Sequence, residues 1–396
     1  MRATATGSPL MDPPAIAVSA GRVLTPAGPR SATLTLRDGH IAAIEPAVAG
    51  DVDLRIDAAG CDVLPGLIDL HGDDLETHVF PRREAAVDPA RAVVHTDRTN
   101  LLAGITTKCH AVAIETDAAD QRTPERAVGY IDTIESARGL LGTHRVHARC
   151  DVTDPESRQA ALGVLERPIV DVLTLMSPLR GTGQFTSATA FQRWYATHRG
   201  NRRRPALTVD AAAERVATEP ALVDGSLATT VAEVAAAATA AGVLVGSHDD
   251  ESATEVIGQA AAGARLCEFP VTMEAIATAA ERGMTTMLGA PNLLQSGSVF
   301  GNLDAAMAIA AGTCDVLCVD YHPPSLLASV YASTDEPITA RLARVSTTPA
   351  DVVGLADRGR LAPGARADVV IVDPHPSPRV RTLIVGGRPI FAAAGI

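Results

Sequence analysis

Apolar and polar positions give this chain two textures. Residues 15–60 hold short apolar runs broken by turns: Ala15–Leu24, Ser31–Leu36 and Ile41–Ile44. Asp38-Gly39 between the last two runs is a hairpin signal. The tail from Gly364 repeats that texture, with Ala367–Val372, Val380–Val385 and a Gly386-Gly387 turn. Two strand-rich ends around a different middle predict one small β-sandwich built from both termini. The middle alternates apolar strand candidates with Ala-rich helical stretches, the pattern of a parallel (β/α)8 barrel of the TIM type. Eight strands are expected, over 63–71, 105–113, 145–151, 170–177, 243–249, 264–269, 284–290 and 315–321. An insertion near 180–225 carries Trp194, Tyr195 and three consecutive arginines, as a lid or an interface. The sandwich is expected from 1–62 and 351–396, and the barrel from 63–350.

Such barrels build active sites at the C-terminal ends of their strands, which selects the polar residues to weigh. The first strand runs into His71 and Asp73. Positions i and i+2 of a strand share one side, so this pair can converge on one divalent ion. Imidazole nitrogen with carboxylate oxygen suits zinc or a similar transition metal. Asp74, Glu76 and His78 follow on a loop, where a solvated surface is the default and Glu76 is near enough to touch a substrate. Strand two offers Lys108 and His110, and strand three His147, Arg149 and Asp151. His248, Glu268, Asn292, Asp320 and His322 lie at the ends of strands five to eight. Polar residues at so many strand ends exceed what a core tolerates unpaired. Taken singly, His147 with Arg149 also reads as a structural hydrogen-bonding pair, and Glu268 as the cap of a loop.

Composition narrows the field. At 396 residues and 46% hydrophobic content, the chain is long enough for a barrel of about 250 residues plus a companion domain. Aromatic residues are only 3%, so Ala, Val and Leu must do most of the packing. No apolar run reaches the roughly 18 residues that span a bilayer, and no signal-peptide pattern opens the chain, so a cytoplasmic protein is expected. Six scattered cysteines lack a framework spacing and read as small buried apolar residues. A net charge of -12 argues against nucleic acid as a partner. A small-molecule substrate without nucleic acid or membrane is expected, with a homo-oligomer left open. Of 34 basic residues, 33 are arginine, and Lys108 is the single lysine. An amine can lose its proton, form an imine or become a carbamate, whereas a guanidinium cannot. Lys108 therefore reads either as a position that needs an amine or as a chance survivor.

The ordered series His71-Gly-Asp, Ser247-His-Asp-Asp, Gly289-Ala-Pro-Asn and Asp320-Tyr-His-Pro-Pro-Ser-Leu-Leu327 resembles the amidohydrolase superfamily. Within it, the chain is similar to the ribose-1-methylphosphonate-5-triphosphate diphosphatases of the carbon–phosphorus lyase pathway in phosphonate metabolism. Glu268-Phe-Pro, Gly301-Asn302 and the tail from Asp357 through Asp368 add to the match. The resemblance implies a metal-dependent barrel with a two-ended β-sandwich, hydrolysing a phosphoanhydride of a nucleotide-like triphosphate with metal-bound hydroxide. It implies His71, Asp73, His248 and Asp320 as metal-site residues, with Asp320 also orienting or deprotonating the attacking water. Zinc is the expected ion, with manganese or iron as alternatives and one or two ions bound.

The departures from the family pattern form a set. Asp151 replaces a usual Glu, Ser177-Pro178 follows Met176 where an acid–histidine pair is usual, and Lys108 and His110 stand where an apolar residue and an Asp are usual. Gln295 and Val299 replace an Arg and a His of a phosphate-suited loop, while Gly183-Gln-Phe185 is kept. His110 and Asp151 are therefore metal candidates that would restore the ligand count. Lys108 is a catalytic candidate, either as a carbamate bridging two metals or as a cation for an anionic group. Glu76, Arg82, Arg180, Asn292 and His322 are the substrate-binding candidates, with Arg83 beside Arg82. The altered loop leaves a C–N hydrolase, acting on an amide or cyclic amide, as the alternative. A barrel that has lost its metal and only binds a ligand or partner is the remaining one.

Overall fold

The computed structural model describes residues 12–48, 50–82, 85–117, 121–176, 225–295 and 302–392. Arg83, Arg180 and the expected insertion as far as residue 224 lie outside them, as does Val299. The chain divides into two compact units, one of residues 1–66 with 355–396 and one of residues 67–354.

The first unit contains two sheets drawn from both ends of the chain. Its strands, numbered along the whole chain, are β1 (Ile16–Ser19), β2 (Arg22–Thr25), β3 (Gly28–Ser31), β4 (Thr33–Arg37), β5 (His40–Glu45), β6 (Leu54–Asp57) and β7 (Asp62–Pro65). After the barrel come β16 (Val369–Asp373), β17 (Arg379–Val385) and β18 (Arg388–Ala392). One sheet has the order β5-β4-β1-β6 and the other β18-β17-β16-β7-β2-β3. Antiparallel pairing of β7 with β16 joins the two chain ends. Asp38 and Gly39 turn the β4–β5 hairpin at φ 51° and 77°, the left-handed pair that a two-residue hairpin of this twist requires. Ile16, Leu34, Leu36, Val63, Val369, Ile371 and Ile384 fill the core of this unit.

The second unit is built on eight parallel strands in the order β15-β14-β13-β12-β11-β10-β9-β8. They are β8 (Leu67–Gly72), β9 (Ile105–Ile114), β10 (Thr143–Asp151), β11 (Val170–Met176), β12 (Leu244–His248), β13 (Leu266–Glu268), β14 (Thr285–Gly289) and β15 (Val316–Cys318). The first and last strands meet at a parallel bridge between Gly72 and Asp320. There Asp320 N donates to His71 O at 2.9 Å, and Asp73 N donates to Asp320 O at 3.0 Å. The barrel expected from periodicity is the barrel found. The apolar run expected as one strand over 63–71 is two: Asp62–Pro65 joins the first unit's sheet and Leu67–Gly72 begins the barrel. Both pieces are buried throughout, so no polar alternation marks the change of sheet between them.

Helices Pro89–Leu102, Pro124–Ser136, Pro155–Val164, Ala253–Ala262 and Met273–Glu281 follow barrel strands. Asp88, Thr123, Asp154, Ser252 and Thr272 cap their first turns through side-chain oxygens, stopping each loop where its helix must begin. The contact layer between strands and helices is made of Ala, Val, Leu and Ile with few aromatics, as composition requires. All six cysteines are free and buried. No described helix is long and apolar enough to cross a membrane.

Candidate active site

Two donor clusters share one residue, His71. In the first, His71 from β8 meets His147 from β10 and Glu268 from β13; in the second it meets Asp73 and Asp320 beyond β8 and β15. Within each trio, one potential ligand atom per residue lies within 4.8 Å of the others. The alternation along strands explains the aim of these groups, since His147 and Arg149 stand two apart on β10. His71 Nδ1 is hydrogen-bonded to Glu268 Oε1, and His147 Nε2 lies 3.6 Å from Glu268 Oε2. The His71 and His147 rings meet edge to face, with centroids 5.2 Å apart. His248 lies beside them, its ring 6.3 Å from that of His71, and Phe269 contacts both rings at 5.0 and 5.4 Å.

The backbone at these strand ends is unusual. Asp249, Phe269 and Asp320, none of them glycine, take φ of 56°, 51° and 57°. Left-handed backbone is uncommon for such residues, most of all for a bulky one, and clusters at functional sites where the surroundings enforce it. Here it turns the chain at the ends of β12 and β13 and beyond β15, leaving His248, Glu268 and Asp320 on the barrel mouth.

Charge at the site is out of balance. Burial and then the neighbouring Asp73 push the Asp320 carboxyl up to about 8. Burial likewise raises Asp73. Burial, assisted by Arg149, lowers His71 well below the ordinary histidine value, and burial lowers His147 to about 4. His248 is the exception: burial opposes its charge, but Asp249 outweighs burial and raises it to about 9. Two imidazoles held neutral, beside carboxylates that crowd one another, form a donor set that a divalent cation relieves. Glu268 Oε2 and His248 Nε2 are buried without a hydrogen-bond partner among the described residues. By these observations the residues present fit a metal ion.

Arg149 completes the charge pattern. It is 8% exposed, its Nε has no partner among the described residues, and its charge bears on His71, Asp73 and Asp320.

The other expected site residues are placed elsewhere. Lys108 Nζ pairs with Asp74 Oδ1 at 2.5 Å and Asp69 Oδ2 at 3.1 Å, and joins neither donor cluster. Burial disfavours its ammonium, yet Asp74 and Asp69 outweigh that and hold its pKa above the ordinary lysine value. A carbamate requires the neutral amine, so this environment opposes one. His110 Nε2 contacts His144 Nδ1 at 2.8 Å, and His144 Nε2 contacts Asp97 Oδ1 at 2.9 Å, a line outside both clusters. Asp151 Oδ1 accepts from Thr153 N at 2.8 Å and Thr153 Oγ1 at 2.6 Å, bracing its own turn. Glu76 is paired with Arg122, which also holds Glu115 at 2.7 Å. Asn292 donates to Leu303 O at 2.9 Å and accepts from Ala305 N at 3.0 Å, which occupies both ends of its amide. Arg82 and His322 are exposed, and Arg180 lies outside the described residues.

Sequence reasoning did not single out Asp69, Asp97 or His144. Asp69 carried a usable signal, an acid in an apolar strand two residues before His71. Asp97, inside a helix, carried none.

No family model matches the chain. It is 29% identical over 352 residues to the alpha-D-ribose 1-methylphosphonate 5-triphosphate diphosphatase of Escherichia coli (strain K12), covering 86% of this chain and 90% of that protein. Among solved structures, the dihydropyrimidinase from Brevibacillus agri NCHU1002 superposes with a TM-score of 0.65 at 12% identity, covering 96% of this chain and 95% of the other. The N-isopropylammelide isopropylaminohydrolase from Burkholderia multivorans ATCC 17616 superposes at 0.63 with 19% identity, covering 95% and 98%. At such identities these two matches speak for the fold, and the sequence match carries the relationship. The chain thus shares its barrel with these solved structures, carries a donor set at the barrel mouth, and is similar over most of its length to a hydrolytic enzyme, the diphosphatase.

Proposed function

We propose that the chain is a metal-dependent phosphoanhydride hydrolase acting on a small, nucleotide-like polyphosphate. The observation that carries the metal-dependent reading is the donor set around His71, with neutral imidazoles from β8 and β10 beside Asp73, Asp320 and Glu268. His71, Asp73 and Asp320 would hold one ion, and His71, His147 and Glu268 offer a second arrangement next to it. When bound, a divalent cation there supplies Lewis acidity and makes a water acidic enough to attack near neutral pH.

The remaining chemistry belongs to the chain. Asp320 stands in the donor set with His71 and Asp73, and with a cation there keeping its carboxylate ionised it is placed to accept a proton from the attacking water at a carboxylate oxygen. His248 holds its proton through neutral pH and has Nε2 without a partner among the described residues, which suits it to donate to the leaving oxygen. Arg149 is a buried cation beside both acids and supports charge that builds on a phosphoryl group. Phe269 packs against His71 and His248 and keeps solvent from their inner faces.

The phosphoanhydride reading rests on the sequence match to a diphosphatase over most of both chains. The C–N reading has its own support, in Gln295 and Val299 where the diphosphatases tend to carry Arg and His, and in the cyclic-amide hydrolase among the fold neighbours. One paired assay separates them. The protein, loaded in turn with zinc, manganese and iron, is given a ribose 5-triphosphate ester and a cyclic amide such as dihydrouracil. Diphosphate release at turnover above about 1 per second, with no ring opening, is the expected result. Ring opening without diphosphate release replaces the first reading with the second. Neither activity, together with no metal uptake, leaves a barrel that only binds.

A further inference from the structure

The lone lysine stands at the seam that closes the barrel. Lys108 is 1% exposed and lies between Asp69 and Asp74. Asp69 spends its second oxygen on backbone: Oδ1 accepts from His71 N at 3.2 Å and from Val319 N at 2.9 Å. His71 belongs to β8, and Val319 immediately precedes Asp320, so one carboxylate ties together the two segments that carry the donor set. All three contacts to Asp69 come from N–H donors, which suits an ionised carboxylate; burial raises its pKa, and the Lys108 ammonium opposes that rise. A buried carboxylate needs a cation beside it. Lys108 is that cation, steadied on its other side by Asp74, whose Oδ2 accepts from Asn100 Nδ2 at 2.8 Å.

Size explains why this cation is a lysine. The backbone of Gly72 closes over the ammonium, and a Cβ at that position would collide with Lys108 Nζ and come within 2.6 Å of Asp69 Oδ2. A compact ammonium fits under that backbone, whereas a planar guanidinium with five donors does not. In a chain with 33 arginines, this is one place where arginine cannot serve.

We propose that Lys108 is a positioning residue, whose ammonium fixes Asp69 and through it the His71 and Val319 backbone, setting the separation of His71 and Asp320. The proposal takes from the hydrolase reading only that His71 and Asp320 do the chemistry. The clamp itself is a property of the metal-free barrel.

The test is amide hydrogen exchange on the metal-stripped full chain, comparing wild type with Lys108→Met and Lys108→Arg. Exchange at His71 and Val319 should speed up at least about tenfold in both variants, while amides of β11 such as Leu173 keep their wild-type rates. If Lys108→Met fails to fold, Lys108→Met/Asp74→Asn removes one cation with one anion and is read in the same way. On reloading, zinc affinity measured by chelator competition should fall about 10- to 100-fold in each variant, the range seen when a group supporting a metal ligand is lost. Asp69→Asn should cost about as much, and Lys108→Met/Asp69→Asn no more than either alone, because both changes break one linkage.

Unchanged exchange at His71 and Val319 in a folded variant overturns the clamp, and so does additive loss in the double variant. A carbamate carbon signal on Lys108 in protein grown with 13C-bicarbonate overturns it as well, since a carbamate cannot be the ammonium required. If wild type takes up no metal and hydrolyses nothing, the hydrolase reading fails and the exchange result still decides the clamp.

Discussion

Two sets of buried polar residues stand close together on this barrel, and they meet the cost of burial in opposite ways. In one, Lys108, Asp69, Asp74, His144 and Asp97 each face an opposite charge or a hydrogen-bond partner at 2.5 to 3.1 Å. In the other, Asp73 and Asp320 crowd one another, while Glu268, His248 and Arg149 keep buried atoms without partners among the described residues. An unpaired polar group in a protein interior costs about 1–3 kcal/mol, more when it is charged. A paired set is therefore part of the scaffold, and an unpaired set marks where an ion or a substrate binds. Sequence alone ranked Lys108 with the second set; geometry puts it in the first.

That contrast can be broken most directly at Asp320. Asp320→Asn should lower kcat/KM about 10³- to 10⁴-fold with metal resupplied, the scale of a lost proton acceptor. Its melting temperature should equal or exceed that of wild type in the absence of metal, because a carboxylate crowded by Asp73 is gone. Activity within tenfold of wild type would remove Asp320 from the chemistry and weaken the contrast.

The paired set should respond the other way, in stability rather than catalysis. Asp97 accepts from His144 Nε2 and from the amides of Leu141 and Gly142 at 2.9, 3.1 and 2.9 Å. Asp97→Ala strands those donors and should cost about 2–4 kcal/mol in denaturant unfolding, with kcat/KM of the folded enzyme close to wild type. A stable but inactive variant would show that the outer network reaches the chemistry.

The smallest effect sharpens the comparison through pH. In metal-free protein Asp320 has its pKa raised to about 8 from 3.8, so over that interval the folded state holds a proton that the unfolded state has released. Stability must then fall as pH rises toward 8. His248, raised from 6.5 to about 9, acts in the same direction, its contribution complete below 6.5 and lost as pH passes 9. Melting temperatures of chelator-treated protein should therefore drop by several degrees between pH 6 and 9. Metal-loaded protein should lose less, since the cation holds both carboxylates ionised. Equal slopes with and without metal would contradict the donor assignment around Asp320.

The periodic features of the fold are legible in the order of residues alone. Alternation of apolar strands with Ala-rich helices predicts the barrel, Asp38-Gly39 predicts its hairpin, and the two-residue spacing predicts His71 and Asp73 on one side. These signals are local, because the two-residue repeat of a strand and the backbone demands of a tight turn act over a few positions.

What the tertiary structure decided is which partner each buried charge meets. Glu268 reaches His71 across 197 residues, and Asp69 reaches Val319 across 250. No periodicity carries information over such separations, since those contacts exist only once the barrel closes its first strand on its last. The sequence determined that the single lysine among 34 basic residues stands at position 108. Only the closed barrel, with Gly72 pressed against an ammonium between two carboxylates, supplies the reason.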